Sequence, residues 1–329
     1  MITDILILGA GVSGLMAARS FQEQGKTVQV VDKGRGVGGR VATRWLGSRD
    51  QIRGRWDHGA QFVTLRSSRV RRRLHSWIGD DVLYDWLPSF SDPTLMRKVC
   101  TQGMNQLPKA LAAGVTVHRA ERIRKLEWTG STWKALSESG AEFEGHQCLS
   151  TIPAPQMIDL ILASELDLDP RMMDQIQSIE YERTLSLLAE LDTPANLPDG
   201  GYVRPLTGVL DTVIDHQAKG ISDSPTVTAH ATPAFSLEWY DRDRIAAASV
   251  MRAALQEYVQ CSIVQVQIHG WKFSTPVKRV PTAYLDLTEG LRMAGDGFVA
   301  GEDDAPASLH PRMESAMLSG LHAAQSWGD

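Results

Sequence analysis

The sequence holds only three cysteines, Cys100, Cys148 and Cys261, in 329 residues. An odd number without metal-like spacing argues against a disulfide framework or a thiolate metal centre. It fits a reducing compartment in which the thiols sit as small buried hydrophobes. No apolar run approaches the roughly 20 residues needed to span a bilayer. The opening stretch "ILILGAGVSGLMAA" is apolar but lacks the basic leading region of a signal peptide. These absences predict a cytoplasmic protein with no membrane partner. An excess of one charge is also lacking: 34 Lys and Arg stand against 39 Asp and Glu, a net charge of −5 that gives no general attraction to nucleic acid. The densest basic run, "RSSRVRRRLH" at 66–75, has no interleaved aromatics and reads as a solvated helix face rather than a polyanion site. Repeats and low-complexity tracts are missing. Around the segments singled out below there is no nucleophile triad, no carboxylate pair and no His–Cys metal spacing, so no metal site is expected.

What is present is glycine at particular places. The run "DILIL" (4–8) reads as a buried parallel strand, 13–24 as a helix stopped by Gly25, and "TVQVVD" as a second strand. The helix start carries Gly9-x-Gly11-x-x-Gly14. Gly9 makes the turn, Gly11 admits a pyrophosphate close to the backbone, and Gly14 lets the helix press on the sheet. The helix N-terminus adds free N–H groups and a positive dipole end. Asp32 ends the next strand 18 positions after Gly14, where an acid can bond a ribose 2′-OH.

Directly after Asp32 comes a second loop, "KGRGVGGRVATR" (33–44). A nicotinamide dehydrogenase has no need of it, whereas a protein that holds FAD lengthwise needs another backbone close to the pyrophosphate and ribityl chain. Gly38 and Gly39 allow that approach, and Arg40 can balance phosphate charge. A third element, "RMAGDG", ends a late strand at Gly295-Asp296, where the acid can accept from a ribityl hydroxyl. A following helix, near 311–326, would aim its N-terminus at the flavin edge that becomes negative on reduction. Further along, 115–119, 122–130, 131–139 and 141–152 read as an antiparallel meander, the last strand returning to the central sheet. Strand-like runs begin at 184, 207, 226 and 264, with a helix at roughly 241–259.

"GAGVSGLMAA", "DKGRGVGGRVATR" and "DHGAQFVT" (57–64) resemble the N-terminal signatures of the glutathione-reductase-like flavoproteins of the amine-oxidase group, and of the renalase family within it. "GMNQLPKAL", "STIPAPQM", "HATPAFS", "GWKFS" and "AGDGF" resemble later ones in the same order. The resemblance implies an α/β fold. A Rossmann-like FAD-binding domain of the glutathione-reductase type would comprise 1–65, 96–155 and 275–329. A second, α+β substrate domain built on an antiparallel sheet would comprise 66–95 and 156–274. Two departures stand out: an apparent insertion at 299–311 and the run "DTVIDHQAKG" (211–220).

The resemblance also implies a non-covalent FAD that takes a hydride at N5 from a dihydronicotinamide-type substrate, an isomeric NAD(P)H, with O2 accepting the electrons as H2O2. The alternatives are a flavin amine oxidase, a flavin dehydrogenase with another acceptor, and a non-catalytic FAD-binding redox sensor. The expected cofactor-binding set is Gly9, Gly11, Val12, Ser13, Gly14, Asp32, Lys33, Gly38, Gly39, Arg40, Thr43, Arg44, His58, Gly59, Ala60, Gln61, Ile123, Gly295 and Asp296. A dihydropyridine expels hydride with its own ring nitrogen, so the protein needs a shaped, water-excluding slot rather than a strong base. His230, at a strand end, is the preferred substrate-side residue, against the alternative of a histidine satisfied in the structure. Trp271 is expected to wall the cavity and Gln61 to pass beside the ring. His216 and Asp215 read as solvated turn residues.

Overall fold

The computed structural model describes residues 2–48, 51–89, 92–205, 208–308, 310–325 and 327. The chain begins β1 (Ile2–Leu8), α1 (Val12–Glu23), β2 (Val28–Asp32), β3 (Thr43–Gly47), β4 (Ile52–Asp57), α2 (Ser68–Ile78), β5 (Tyr84–Pro88), β6 (Met96–Val99), α3 (Gln106–Leu111) and β7 (Thr116–Arg119). It continues with β8 (Ile123–Trp128), β9 (Trp133–Ser137), β10 (Glu142–Ser150), α4 (Ala154–Ala163), α5 (Pro170–Gln177), β11 (Glu180–Tyr181), β12 (Thr184–Leu191), α6 (Pro198–Gly201) and β13 (Tyr202–Val203). The last elements are β14 (Leu210–Asp215), β15 (Thr226–Ala231), α7 (Pro233–Trp239), α8 (Arg244–Gln256), β16 (Ile263–Trp271), β17 (Pro276–Lys278), β18 (Leu285–Thr288), β19 (Leu291–Met293) and α9 (Met313–Gln325). Among the described residues no helix is long and apolar enough to cross a membrane.

The central sheet runs β18-β19-β10-β1-β2-β7. Strands β19, β10, β1, β2 and β7 are mutually parallel, and β18 closes the edge antiparallel. Being covered on both faces, these strands are continuous apolar runs: Ile5 through Leu8 and Val28, Val30 and Val31 are buried. α1, α3 and α9 cover one face, joined to Ile5, Ile7 and Val30 in a single core. α4, α5 and the β8–β9 pair cover the other, around Leu6, Leu8 and Trp133. The chain leaves β1 toward β2 on one side and returns through β10 on the other. The carboxyl ends of these strands therefore open a crevice at β1, the place where parallel α/β sheets bind ligands.

The second sheet, β13-β14-β15-β12-β16, is antiparallel throughout. β12 alternates little because both faces are covered, one by α7 and α8 and the other by Leu46 and Trp56 of the β3–β4 hairpin. Trp56 donates from Nε1 to the Ala189 carbonyl at 2.9 Å and ties hairpin to sheet.

Two expectations are corrected. The strand at 115–119 does not join the meander: β7 pairs parallel with β2, since a helix (α3) rather than a tight turn precedes it. The meander is β8–β9–β10. Nor do residues 66–95 and 156–177 sort with the substrate side as a block. Val70 and Leu74, the apolar stripe of α2, lie in the core of α1 and α9, and Met157, Leu160 and Ile176 of α4 and α5 lie under the central sheet. Burying an amphipathic stripe decides where a helix sits, whichever loop leads to it. The late helix agrees with its expected position, although Ser326 lies outside the described residues.

Candidate active site

A continuous cavity of about 1970 Å³ runs from Asp32 past the glycine loops to the second sheet. Pockets for drug-sized ligands measure roughly 300–1,000 Å³, so this larger space suits an extended dinucleotide with a second molecule beside it. Its first wall is the start of α1. Gly11 caps that helix with no side-chain bond and no acid in the first turn. By contrast α2, α5, α7 and α8 have their first amides satisfied by Ser67, Asp169, Thr232 and Asp243. Uncapped amides facing a cavity are what an anion requires. Two glycines are compulsory here. A Cβ on Gly14 would lie 2.1 Å from the Gly9 carbonyl oxygen. Gly38 has φ +115, and its N–H donates to the Ala10 carbonyl at 2.8 Å, so the second loop is pinned against the first.

Asp32 holds this cradle in shape. One carboxylate oxygen accepts from Ala10 N and the other from Gly34 N, each at 2.6 Å. Burial raises its pKa, against the lowering effect of those two amides. A carboxylate retains lone pairs beyond those two bonds, so ribose hydroxyls can still be accepted. Lys33 lines the cavity with its ammonium 2.7 Å from Gln156 Oε1, and Val12, Ser13, Ile123 and Gly295 line it as well. Arg40 and Asp296, expected to serve phosphate and ribityl separately, face each other in a bidentate pair at 2.6 and 2.7 Å. Arg40 also donates to the Phe273 and Ser274 carbonyls, so its charge is shared before any phosphate arrives.

Strand alternation separates two neighbours that were expected together. Thr43 and Trp45 of β3 line the cavity, whereas Arg44 points to the opposite face, 3.1 Å from His269 Nδ1. His58 is likewise outside the lining. Its ring stacks behind Trp271, centroids 5.3 Å apart, with its edge to His269, and its carbonyl accepts from Trp271 Nε1 at 2.7 Å. Gly59, Ala60, Gln61, Trp271 and His230 do line it.

Behind that wall lies a buried polar chain that sequence reasoning missed. Lys219 and Asp57 form an ion pair at 2.6 Å with both side chains 0% exposed. Asp57 Oδ1 also accepts from Thr43 Oγ1 at 2.5 Å and Met104 N at 2.9 Å. Nothing in a lone lysine on a loop predicts burial, though Asp57 opens the quoted "DHGAQFVT" segment. His216 and Asp215, read as solvated, are both buried: His216 Nε2 lies 2.7 Å from Thr228 Oγ1, and Asp215 caps its own turn by accepting from Gln217 N and Ala218 N. Desolvation pushes His58 down to about 3 and His230 and His269 to about 4, each aided by nearby cations or histidines. These three rings are therefore neutral at pH 7.

Toward the second sheet, Phe62, Trp86 and Tyr202 make an aromatic box. The Arg97 guanidinium fills it, 5.3, 5.5 and 4.9 Å from the three ring centroids, with Nε donating to the Pro88 carbonyl at 2.8 Å. Arg97, Arg66, Arg204 and Arg312 all line this end. The segment 299–311, of which Leu309 lies outside the described residues, straps the start of α2. Glu302 accepts from Ser67 Oγ at 2.6 Å and pairs with Arg69 at 2.8 Å, while His310 and Pro311 reach the cavity.

Known proteins match this architecture. Residues 85–326 match the model of the flavin containing amine oxidoreductase family, and residues 7–76 that of an NAD(P)-binding Rossmann-like domain. The chain is similar to renalase of Mus musculus, 22% identical over 320 residues covering 89% of this chain and 92% of the relative. In fold it resembles a putrescine oxidase, with TM-score 0.71, 13% identity and coverage of 99% and 98% of the two chains. It also resembles the cyclohexylamine oxidase of Brevibacterium oxydans IH-35A, with TM-score 0.69, 13% identity and coverage of 100% and 99%. Uncapped amides, close glycine backbones and an elongated cavity fit FAD. The chain belongs to the flavin-containing amine oxidoreductases, and it is an FAD-dependent oxidoreductase of renalase-like type.

Proposed function

We propose that the protein is an oxidase of dihydronicotinamide-type molecules, isomeric NAD(P)H, with O2 as the electron acceptor. The observation that carries this reading is the occupied aromatic box. An amine oxidase of the alternative reading would seat its amine among aromatic faces. Here Arg97 already fills them, so an alkylamine has neither space nor a complementary charge. A guanidinium in that place suits a carboxamide oxygen or a phosphate instead.

When bound, FAD supplies the hydride acceptor and then the two-electron reductant of O2. The chain's own residues supply the rest. The α1 amides and the Gly38 backbone would hold the pyrophosphate, Asp32 the adenosine ribose, and Gly295 and the Arg40–Asp296 pair the ribityl region. Ala60 and Gln61, which line the cavity, would border the ring. Trp271, fixed by its bond to the His58 carbonyl, walls the reaction space and excludes water. His230 has both ring nitrogens engaged by Gln61 and Ser186, so it shapes the wall and removes no proton. A donor that releases hydride from its own ring needs nothing more. No cysteine lines the cavity among the described residues, which supports non-covalent FAD. The parallel sheet with its β8–β9–β10 meander supports a glutathione-reductase-type frame.

Anaerobic mixing tests the proposal. Flavin-loaded protein is expected to bleach rapidly with 2- or 6-dihydro isomers of NADH and to recolour with air, yielding H2O2. Bleaching by primary amines alone would establish the amine oxidase. Bleaching without prompt reoxidation would establish a dehydrogenase, and no bleaching by any donor a redox sensor.

A further inference from the structure

Four groups hold the Gln61 amide in one orientation. Its Nε2 lies 2.6 Å from the Asp57 carbonyl oxygen and 3.1 Å from that of Gly59, and both oxygens can only accept. Its Oε1 lies 3.4 Å from the Lys219 ammonium, which can only donate. Turning the amide over would set oxygen against two carbonyl oxygens and an NH2 against a buried cation. Lys219 cannot retreat, because it is fully buried and paired with Asp57. The fourth group is His230, whose Nε2 lies 3.1 Å from Gln61 Nε2. The amide nitrogen has two hydrogens for three acceptors, so one is shared between the Gly59 carbonyl and His230 Nε2, both at 3.1 Å. Because that nitrogen donates and does not accept, His230 Nε2 carries a lone pair and the ring proton is on Nδ1. The far side of the ring agrees. Nδ1 lies 2.8 Å from Ser186 Oγ, which accepts from it and passes its own hydrogen to the His58 carbonyl at 3.3 Å.

We propose that Gln61, clamped by Lys219 and two backbone carbonyls, is the positioning residue that locks His230 as the neutral Nδ1–H tautomer in the cavity wall. A proton added at Nε2 would point at the Gln61 N–H groups with nothing to accept it. The surroundings do not favour that proton either: the Lys219 charge opposes it, the neighbouring His216 and His58 rings are neutral, and the Asp57 charge is spent on Lys219. The benefit to chemistry rests on the dihydronicotinamide reading, though the tautomer does not. A dihydropyridine that loses hydride becomes a cationic ring, and an imidazolium in the wall would oppose that charge.

Nitrogen NMR of flavin-loaded protein labelled at histidine, with His230 assigned by His230→Asn, reads the tautomer without any substrate. The wild type is expected to show Nδ1–H and no titration of His230 between roughly pH 8 and 5. Gln61→Glu turns the donor into an acceptor. It should move the proton to Nε2 or add a second one, raising the titration by about one pH unit or more. An Nε2–H ring in the wild type, or an unchanged tautomer and titration in Gln61→Glu, would overturn the proposal. Should Gln61→Glu not fold, Gln61→Met decides: mixed tautomers support the lock and an unaltered Nδ1–H sinks it. Failure of isomeric NADH to bleach the flavin would remove only the functional reading.

Discussion

Two of the carboxylate–cation pairs beside the cavity are built to opposite ends. Asp57 and Lys219 are both 0% exposed, sealed behind Gln61 and His230. Arg40 and Asp296 are 29% and 17% exposed and stand in the cavity itself. A pair sealed from water cannot exchange partners, so it acts as a fixed reference that orients Gln61. A pair in a wet cleft can share its hydrogen bonds with an incoming ligand, so it can serve the cofactor. The same chemistry thus serves rigidity in one place and binding in the other.

Breaking the sealed pair should have the largest effect. Lys219→Met leaves a buried carboxylate uncompensated and is expected to cost about 3–5 kcal/mol in urea unfolding, with part recovered in the Asp57→Asn/Lys219→Met double variant. A loss no greater than that of a surface lysine would show that the pair is not sealed. Emptying the aromatic box comes next: Arg97→Ala should slow bleaching by isomeric NADH about 10- to 100-fold, the value of a charge-assisted hydrogen bond, and admit amines. Equal rates in both proteins would remove Arg97 from substrate choice. Arg40→Met should cost about 1–2 kcal/mol in stability, and its main effect should be weaker FAD retention in equilibrium dialysis. Unchanged retention would return Arg40 to a purely structural role.

The last effect is spread over pH as a slope rather than read at one condition. His58 titrates near 3 and His230 near 4 in the folded chain, below the roughly 6.5 of an unfolded histidine. The unfolded state therefore binds more protons as pH falls through that window. Stability should drop from about pH 6.5 toward 4, by at most about 1.4 kcal/mol per pH unit for each histidine. Substituting either by Asn should flatten the curve. A flat wild-type curve would mean the rings are hydrated.

Legibility follows the same division. The cradle could be read from the sequence because its requirements are local: Gly9, Gly11, Gly14 and Asp32 stand at spacings that strand, turn and helix impose. Trp271 and His230 reach the cavity wall through their strands. The sealed half was not legible. Lys219 meets Asp57 across 162 residues, and a buried lysine looks like a solvated one in sequence. Arg44 was misplaced beside Thr43 because a short strand after a glycine loop was not given its two-residue alternation. His216 and Asp215 were misread for want of the sheet that covers them. Helix α2 went to the wrong side because an amphipathic stripe states that it is buried, not against what.

On the proposed reading the wall supplies no acid or base and the donor ring drives its own hydride loss. The pH dependence of anaerobic flavin bleaching by isomeric NADH tests it most directly. A rate constant flat within about twofold from roughly pH 6 to 9 is expected. A rate that climbs about tenfold per pH unit, as it would if a group had to lose a proton first, would mean that the wall does supply a base.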